Sequence, residues 1–181
     1  MIINDILSDN ELTLRNLSEK DCIQEYANWL NDKDVNQFLE SHWHKETIET
    51  CKSFVTSINN STNSILFGIF VNNTHIGNIK IGPIHNIYKH GDISYFIGNK
   101  QYWGQGYAFR AIKLILNFAF ENLNLNRVNA GCCVLNTKSK KLLLKAGFVI
   151  EGCRRKERLI ELDSEYYDSE YYGILKEEFE K

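Results

Sequence analysis

The sequence predicts an α/β fold of the α+β kind, built on a mixed, mostly antiparallel and twisted sheet of about seven strands with helices on both faces. Two amphipathic helical segments come before most of the strand-like runs. Strand-like runs then follow one another, and near the end strands alternate with helices. Successive strands favour antiparallel hairpins, whereas a strand-helix-strand unit requires a parallel crossover, so the sheet is expected to be mixed.

Length and composition indicate one domain, residues 1–181, with a core from about 12 to 179. The chain has 181 residues, 43% of them hydrophobic, and a formal net charge of -2. This charge excludes an overall basic field, so no nucleic-acid partner is expected. Five cysteines without metal-ligand spacing predict reduced thiols, and no apolar run reaches the length of a membrane span. We therefore expect a cytoplasmic protein without membrane insertion.

Helical segments dominate the first third of the chain. Residues 11–17 alternate as a strand would, and Ser18 is placed to cap a helix that runs through Leu30. A second helix is predicted from one apolar face, formed by Ile48, Cys51, Phe54, Val55 and Ile58.

The middle of the chain reads as three antiparallel strands. Residues 65–71 and 75–81 flank Asn72-Asn73-Thr74, a hairpin signal, and residues 92–97 form the next strand.

The last third contains the parallel crossover. A long helix carries the stripe Ala111, Ile112, Ile115, Phe118 and Ala119, and residues 128–134 follow as a strand. Asn136 is expected to cap a helix that ends at Gly147, before two final strands at 148–155 and 167–175.

A glycine-rich turn, residues 101–108, opens the long helix directly after an apolar strand. Glycines permit tight turning, and the free amides at a helix N-terminus attract an anion such as a phosphate. The spacing matches neither the dinucleotide fingerprint nor the P-loop. Taken alone, the turn is equally compatible with ordinary packing between a strand and a helix.

Several motifs occur together in one order, and together they resemble the GNAT N-acyltransferase superfamily, most closely its RimJ/RimL-like branch. The turn is similar to the superfamily's pyrophosphate loop, Asn136-x-x-Ser139 and Gly147-Phe148 match the next helix, and the tail matches the branch's final strand through Tyr167-Asp168 and Tyr172-Gly173-Ile174-Leu175.

The resemblance implies acetyl-CoA as acyl donor and no metal. It implies that the donor contacts Phe96, Ile97, Gln101, Trp103, Gly104, Gln105, Gly106, Tyr107, Ala108, Asn136 and Ser139, and Lys141 is predicted to reach the 3′-phosphate of coenzyme A. Purely structural alternatives stay open: Trp103 and Tyr107 as core aromatics, Asn136 as a helix cap, and the lysines at 140 and 141 as solvated side chains.

Direct transfer to an amine needs a proton acceptor and a donor to the tetrahedral oxyanion. The resemblance implies Asp92 as the base, through a water because aspartate is short. It also implies the amide near Ile97 as the oxyanion donor, at a level where the family's strand is splayed by a bulge. The alternative for Asp92 is an ion pair at a strand edge.

Two residues depart from the family pattern. Leu143 stands where many relatives have a tyrosine that protonates the thiolate, so Ser139, Tyr88, water or no acid at all takes that role. Arg110 stands where the branch usually has glutamate, and its predicted role is a contact to a phosphate, a contact to an anion of the acceptor, or a solvent-facing side chain.

The acceptor is predicted to be a small-molecule amine, specifically the amino group of a nucleotide-linked amino sugar. The side chains expected to bind it are Phe38, Glu40, His42, Trp43 and Arg155. The alternatives are the N-terminal amine of a protein, a polyamine or small amine, or no turnover at all in a CoA-binding regulatory module. The protein is expected to be a monomer or homodimer.

Overall fold

The computed structural model describes residues 1–2, 6–160 and 164–179. Eight strands form one sheet in the order β1-β2-β3-β4-β5-β6-β8-β7. Their bounds are β1 Leu7–Asp9, β2 Leu12–Asn16, β3 Ile65–Val71, β4 Thr74–His85, β5 His90–Ile97, β6 Arg127–Cys133, β7 Val149–Ile160 and β8 Glu165–Leu175. All neighbours pair antiparallel except β5 and β6, which are parallel. The mixed, mostly antiparallel sheet is confirmed, with one strand more than predicted.

Helices cover both faces of this sheet. They are α1 Gln24–Asn31, α2 Lys33–Asn36, α3 Ile48–Asn59, α4 Tyr107–Asn117, α5 Thr137–Ala146 and α6 Lys176–Phe179. The apolar stripe of α4 packs with α5 in the larger core cluster, and α1 and α3 pack in a smaller cluster with Leu66 and Phe70. None of the helices in the described ranges has the length and apolar content needed to span a lipid bilayer.

Several boundaries follow local sequence chemistry. Asn72 and Asn73 both have positive φ, 48° and 66°, as the two-residue turn between β3 and β4 requires. The Asn136 side chain accepts from the Ser139 amide at 3.1 Å, and Gly147 ends α5 at a φ of 103°. The predicted hairpin, cap and helix end are confirmed.

Other boundaries differ from the predictions. Ser18 belongs to a short 3-10 turn, Glu19–Asp21, so α1 starts later than expected. The final hairpin is longer, because the charged residues after Arg155 continue β7 to Ile160 instead of forming a connection. The long helix closes with a wider π-helical turn, Phe118–Asn122.

The prediction of a solvent-facing Arg110 was wrong, because the side chain is paired with two carboxylates of this chain. Its guanidinium Nε donates to Asp9 at 2.6 Å and its Nη1 to Glu11 at 2.6 Å, with the side chain 24% exposed. The sequence prediction lacked the short strand β1, which brings these two carboxylates over the first turn of α4. Arg110 therefore fastens the β1–β2 hairpin to α4, and its hydrogen bonds lower the pKa of Glu11.

Stability at acid pH is expected to depend on Asp21. Burial raises its pKa, but hydrogen bonds from Arg15 and Ser18 outweigh burial and lower the pKa from 3.8 to about 2. Because the folded pKa is the lower one, this contribution is complete above about pH 4 and disappears towards pH 2. Asp21→Asn should cost about 1–2 kcal/mol of unfolding free energy at pH 7. Urea titrations of both proteins between pH 5 and pH 2.5 should show this difference shrinking; a constant difference would contradict the assignment.

Candidate active site

The glycine turn has the backbone that the sequence predicts. Gly104 and Gly106 have φ of 74° and 84°, and Gly106 is the residue from which α4 starts. A Cβ at either glycine would meet no heavy atom within 4 Å, so the positive φ, not crowding, requires glycine. The first amides of α4 lack intrahelical partners and lie at the positive end of its dipole. This turn can hold an anion.

Aromatic and amide side chains fix the shape of that turn. The Trp103 indole Nε1 donates to the Ile97 carbonyl at 2.8 Å, which ties the turn to the end of β5. Gln105 donates to the Gln101 carbonyl at 2.6 Å, and the rings of Tyr102 and Tyr107 lie 5.8 Å apart. Trp103 and Gln105 therefore shape the loop through side-chain contacts to its own backbone.

Three lysines of α5 differ in their surroundings. Lys141, predicted for coenzyme A, is exposed, whereas Lys140 is paired with Glu170 at 2.8 Å. The Lys138 ammonium lies 5.1 Å from the centre of the Trp103 ring, directly beside the glycine turn. Sequence reasoning missed Lys138, although its place two residues after the Asn136 cap was a usable signal.

A cavity of about 650 Å³ passes through the sheet; residues 101–108 of the glycine turn do not line it, whereas Asn136 and Ser139 at the start of α5 do. Ile93 and Tyr95 line it from the α4 and α5 face, and Ser94 and Phe96 line it from the α1 and α3 face. Strands β5 and β6 border the cavity. Their parallel pairing ends at Asp92 and Asn129, and the two strands separate beyond these residues. The cavity therefore joins the two faces through the gap between β5 and β6.

Free backbone groups of β5 face this gap. The register of β4 and β5 places Gly98 opposite Ile76. The Gly98 amide donates to the Ile76 carbonyl at 2.8 Å, so these two residues form a hydrogen-bonded pair of the antiparallel ladder. In an antiparallel ladder such pairs alternate, so the backbone of Phe96 turns to β4 while that of Tyr95 and Ile97 turns towards β6. The Ile97 carbonyl accepts from the Trp103 indole. By the same alternation the Ile97 amide points into the gap. The register irregularity nearest the site lies between Ile81 and Ile84 of β4, not at Ile97.

Two hydroxyls meet across the gap on the α5 side. The Tyr95 hydroxyl and Ser139 Oγ lie 2.8 Å apart, and Leu143, Asn136 and Ser139 line the same cavity. Burial raises the pKa of Tyr95 to about 12, against a smaller opposing effect of Ser139. The phenol thus keeps its proton at neutral pH. No motif match pointed to Tyr95.

The predicted base lies beside the cavity. The Asp92 carboxylate is exposed and accepts from Asn129 Nδ2 at 2.8 Å. Asp92 does not line the cavity, but Ser94, which shares its side of β5, does. Two residues along a strand span about 7 Å, so proton transfer from the cavity to Asp92 needs a water.

The predicted acceptor residues divide into three groups. Phe38, Glu40 and Trp43 line the cavity. His42 lines a smaller adjoining cavity of about 290 Å³, and its Nε2 is buried without a hydrogen-bond partner. Arg155 lines neither described cavity; Arg158 lines both and pairs with Glu40.

Two thiols also line the cavity. Cys132 and Cys133 are the last residues of β6, and both are buried. Burial raises the pKa of Cys132, which disfavours the nucleophilic thiolate. Among the described residues no group of three or more His, Cys, Asp or Glu side chains is arranged to hold a metal ion.

The fold, the glycine turn at the start of α4 and the gap between two parallel strands define an acyltransferase of the GNAT class. The model of the acetyltransferase (GNAT) domain matches residues 11–149, so the chain belongs to this family and is an N-acetyltransferase. The RimJ/RimL-like character is confirmed as well.

Individual relatives match over nearly the whole chain. The chain is 30% identical to the uncharacterized N-acetyltransferase YnaD of Bacillus subtilis, over 96% of this chain and 98% of that protein. Among solved structures, RimL, a ribosomal-protein acetyltransferase in complex with coenzyme A, has a TM-score of 0.85 at 19% identity, covering 94% and 98% of the two chains. The spermidine N-acetyltransferase of Vibrio cholerae, in complex with CoA and spermine, has a TM-score of 0.83 at 22% identity, covering 96% and 100%.

Proposed function

We propose that this protein transfers an acetyl group from acetyl-CoA to a primary amine by direct attack in a ternary complex. The observation that carries the proposal is the cavity that joins the two faces of the sheet through the gap between β5 and β6. The donor enters from the face of the glycine turn and α5. The acceptor enters from the face that carries Phe38, Trp43 and Phe54.

Each end of the donor has a matching group. The turn at Gly104 and Gly106 presents amides to the pyrophosphate, with the Lys138 ammonium beside it. The pantetheine lies in the gap against the outward backbone of Tyr95 and Ile97. Lys141 is exposed and can serve the 3′-phosphate of coenzyme A.

The reaction proceeds by addition and elimination. The neutral amine attacks the thioester carbonyl, the Ile97 amide stabilises the oxyanion, and a water passes the amine proton to Asp92. Collapse of the intermediate breaks the carbon–sulfur bond, and the Tyr95–Ser139 hydroxyl pair protonates the thiolate. These two hydroxyls supply the proton that Leu143 cannot donate.

The residues that line the cavity restrict which amines can be the acceptor. The nucleotide-linked amino sugar requires unpaired cations of the final hairpin at the cavity, but Arg154, Arg155 and Lys156 do not line it, and Arg158, which does, is paired with Glu40. Arg154 is instead paired with Glu157. The acceptors named for similar proteins are a ribosomal protein and spermidine. We therefore propose a small primary amine that fits within the 650 Å³ cavity.

Release of free thiol from acetyl-CoA in the presence of an amine panel tests this function. The expected result is amine-dependent thiol release, with the acetyl group found on the amine by mass spectrometry. Acetyl-CoA that binds tightly but yields no acetylated amine across the panel would instead indicate a CoA-binding module.

The base assignment is tested by a pair of carboxylate variants. Asp92→Asn is expected to lower kcat about 100-fold with little change in the KM for acetyl-CoA, because an amide cannot take the proton. Glu46→Gln is the comparison, since Glu46 lines the cavity but bonds Thr50. Steady-state rates across pH decide: full activity of Asp92→Asn together with a large loss in Glu46→Gln would assign the base to Glu46.

A further inference from the structure

One wall of the cavity, the β4–β5 floor formed by Asn78, Lys80 and Ser94, carries hydrogen-bond donors without acceptors. Asn78 and Lys80 are alternate residues of β4, and Lys80 lies directly opposite Ser94 of β5. All three line the cavity. Cross-strand and alternate side chains on one face lie about 5–7 Å apart, so the floor is a single continuous surface.

Asn78 lies in the wall of the cavity with its amide NH₂ buried. The side chain is 3% exposed, and its Nδ2 has no hydrogen-bond partner. His75 Nε2 lies 2.8 Å from Asn78 Oδ1 and 3.0 Å from the Gly77 carbonyl. Because a carbonyl can only accept, Nε2 carries the proton, and it must face the oxygen of Asn78. The amide orientation is thus fixed, with its donors pointing away from His75.

The surroundings keep the His75 ring of this arrangement neutral. Burial lowers the pKa of His75, so the ring remains uncharged and its single proton is committed to the two oxygens. Tyr26, which also lines the cavity, approaches the Asn78 amide without a hydrogen bond of normal geometry between them. The half-buried Lys80 forms no hydrogen bond or ion pair with the described residues.

We infer that this floor binds an anionic group of the acceptor, a carboxylate or phosphate on the same molecule as the reacting amine. The Lys80 ammonium has no acidic partner among the described residues, so an anion in the cavity gains a charge-assisted hydrogen bond there without breaking an existing ion pair. The unpaired Asn78 amide beside it gains an acceptor when the anion, or a water bound with it, reaches Nδ2. Glu40 and Glu46 also line the cavity, but Glu40 is paired with Arg158 and Glu46 accepts from Thr50, so the second cation of a polyamine would meet Lys80 as the unpaired charge, which is unfavourable. The acceptor is thus an amino acid-like or phosphorylated amine. This inference rests on the proposed acetyl transfer.

Pairs of amines that differ only in an anionic group test whether the floor binds an anion. The pairs are glucosamine 6-phosphate with glucosamine, and γ-aminobutyrate with its amide, with spermidine as the dicationic member. Wild-type kcat/KM is expected to favour the anionic member of at least one pair by about 10-fold or more. Lys80→Met should lower that preference about 10- to 100-fold, and Lys80→Glu should shift preference to spermidine.

Lys45→Met is the matched control, because Lys45 is an exposed lysine outside the cavity. The preference of this variant for the anionic amine should equal that of wild type. Equilibrium binding of each amine to the CoA-bound protein separates the two hypotheses. If the protein binds the anionic amines more tightly, Lys80→Met weakens this binding and no amine is acetylated, then the floor binds an anion but the protein is not the proposed transferase. Turnover without preference for an anion, or no binding of any anionic member, overturns the floor.

Discussion

Replacing Gly106 by valine is expected to raise the KM and the Kd for acetyl-CoA by at least about 100-fold, equivalent to about 2.7 kcal/mol. Gly106 has a φ of 84°, which a β-branched residue adopts only with strain. The substitution therefore turns the amides that begin α4 away from the pyrophosphate. Isothermal titration with acetyl-CoA measures the effect directly.

A second glycine provides the control for this substitution. Gly152 of β7 has no positive φ, and, like Gly106, its added Cβ would meet nothing within 4 Å. Gly152→Val should leave acetyl-CoA affinity within about 2-fold of wild type. Equal losses in the two variants, or unchanged affinity in Gly106→Val with an intact fold, would show that the turn does not bind the donor.

Tyr95→Phe is expected to lower kcat about 100-fold while the KM for acetyl-CoA changes little. The phenylalanine keeps the ring that packs beside the gap but removes the hydroxyl that lies 2.8 Å from Ser139. Since the pKa of Tyr95 is about 12, wild-type activity should not decline through deprotonation of this phenol at pH 8–10. Pre-steady-state thiol release separates the chemical step from product release.

Tyr88→Phe is the matched control for Tyr95→Phe. Tyr88 is 72% exposed, stacks on His85 at 4.4 Å and does not line the cavity. We expect wild-type rates from this variant. A loss in Tyr88→Phe comparable to that in Tyr95→Phe, or full activity of Tyr95→Phe together with Ser139→Ala, would remove the hydroxyl pair from the mechanism.

Local chemistry explains why much of the fold could be predicted from the sequence. The Asn72-Asn73 turn, the Asn136 cap and the Gly147 helix end depend on a few adjacent residues, and each is read directly from the chain. The glycine turn is local in the same way. Its backbone and its place before α4 were therefore predictable.

The features that were missed all depend on residues distant in sequence. Arg110 meets Asp9 and Glu11 only because β1 folds back onto α4, about 100 positions away along the chain. Tyr95 meets Ser139 across the gap, and Lys80 faces the cavity beside Ser94 of the neighbouring strand. No local pattern marks such pairs, so the proton donor and the floor required the structure.

Initial-rate kinetics, combined with mass spectrometry of protein and product, tests direct transfer through the cavity most directly. Acetyl-CoA and a small anionic primary amine are varied together. Direct attack in a ternary complex predicts intersecting double-reciprocal lines, an N-acetylated amine and an unmodified protein. Parallel lines with an acetyl group on Cys132 or Cys133, the two thiols of the cavity, would contradict it.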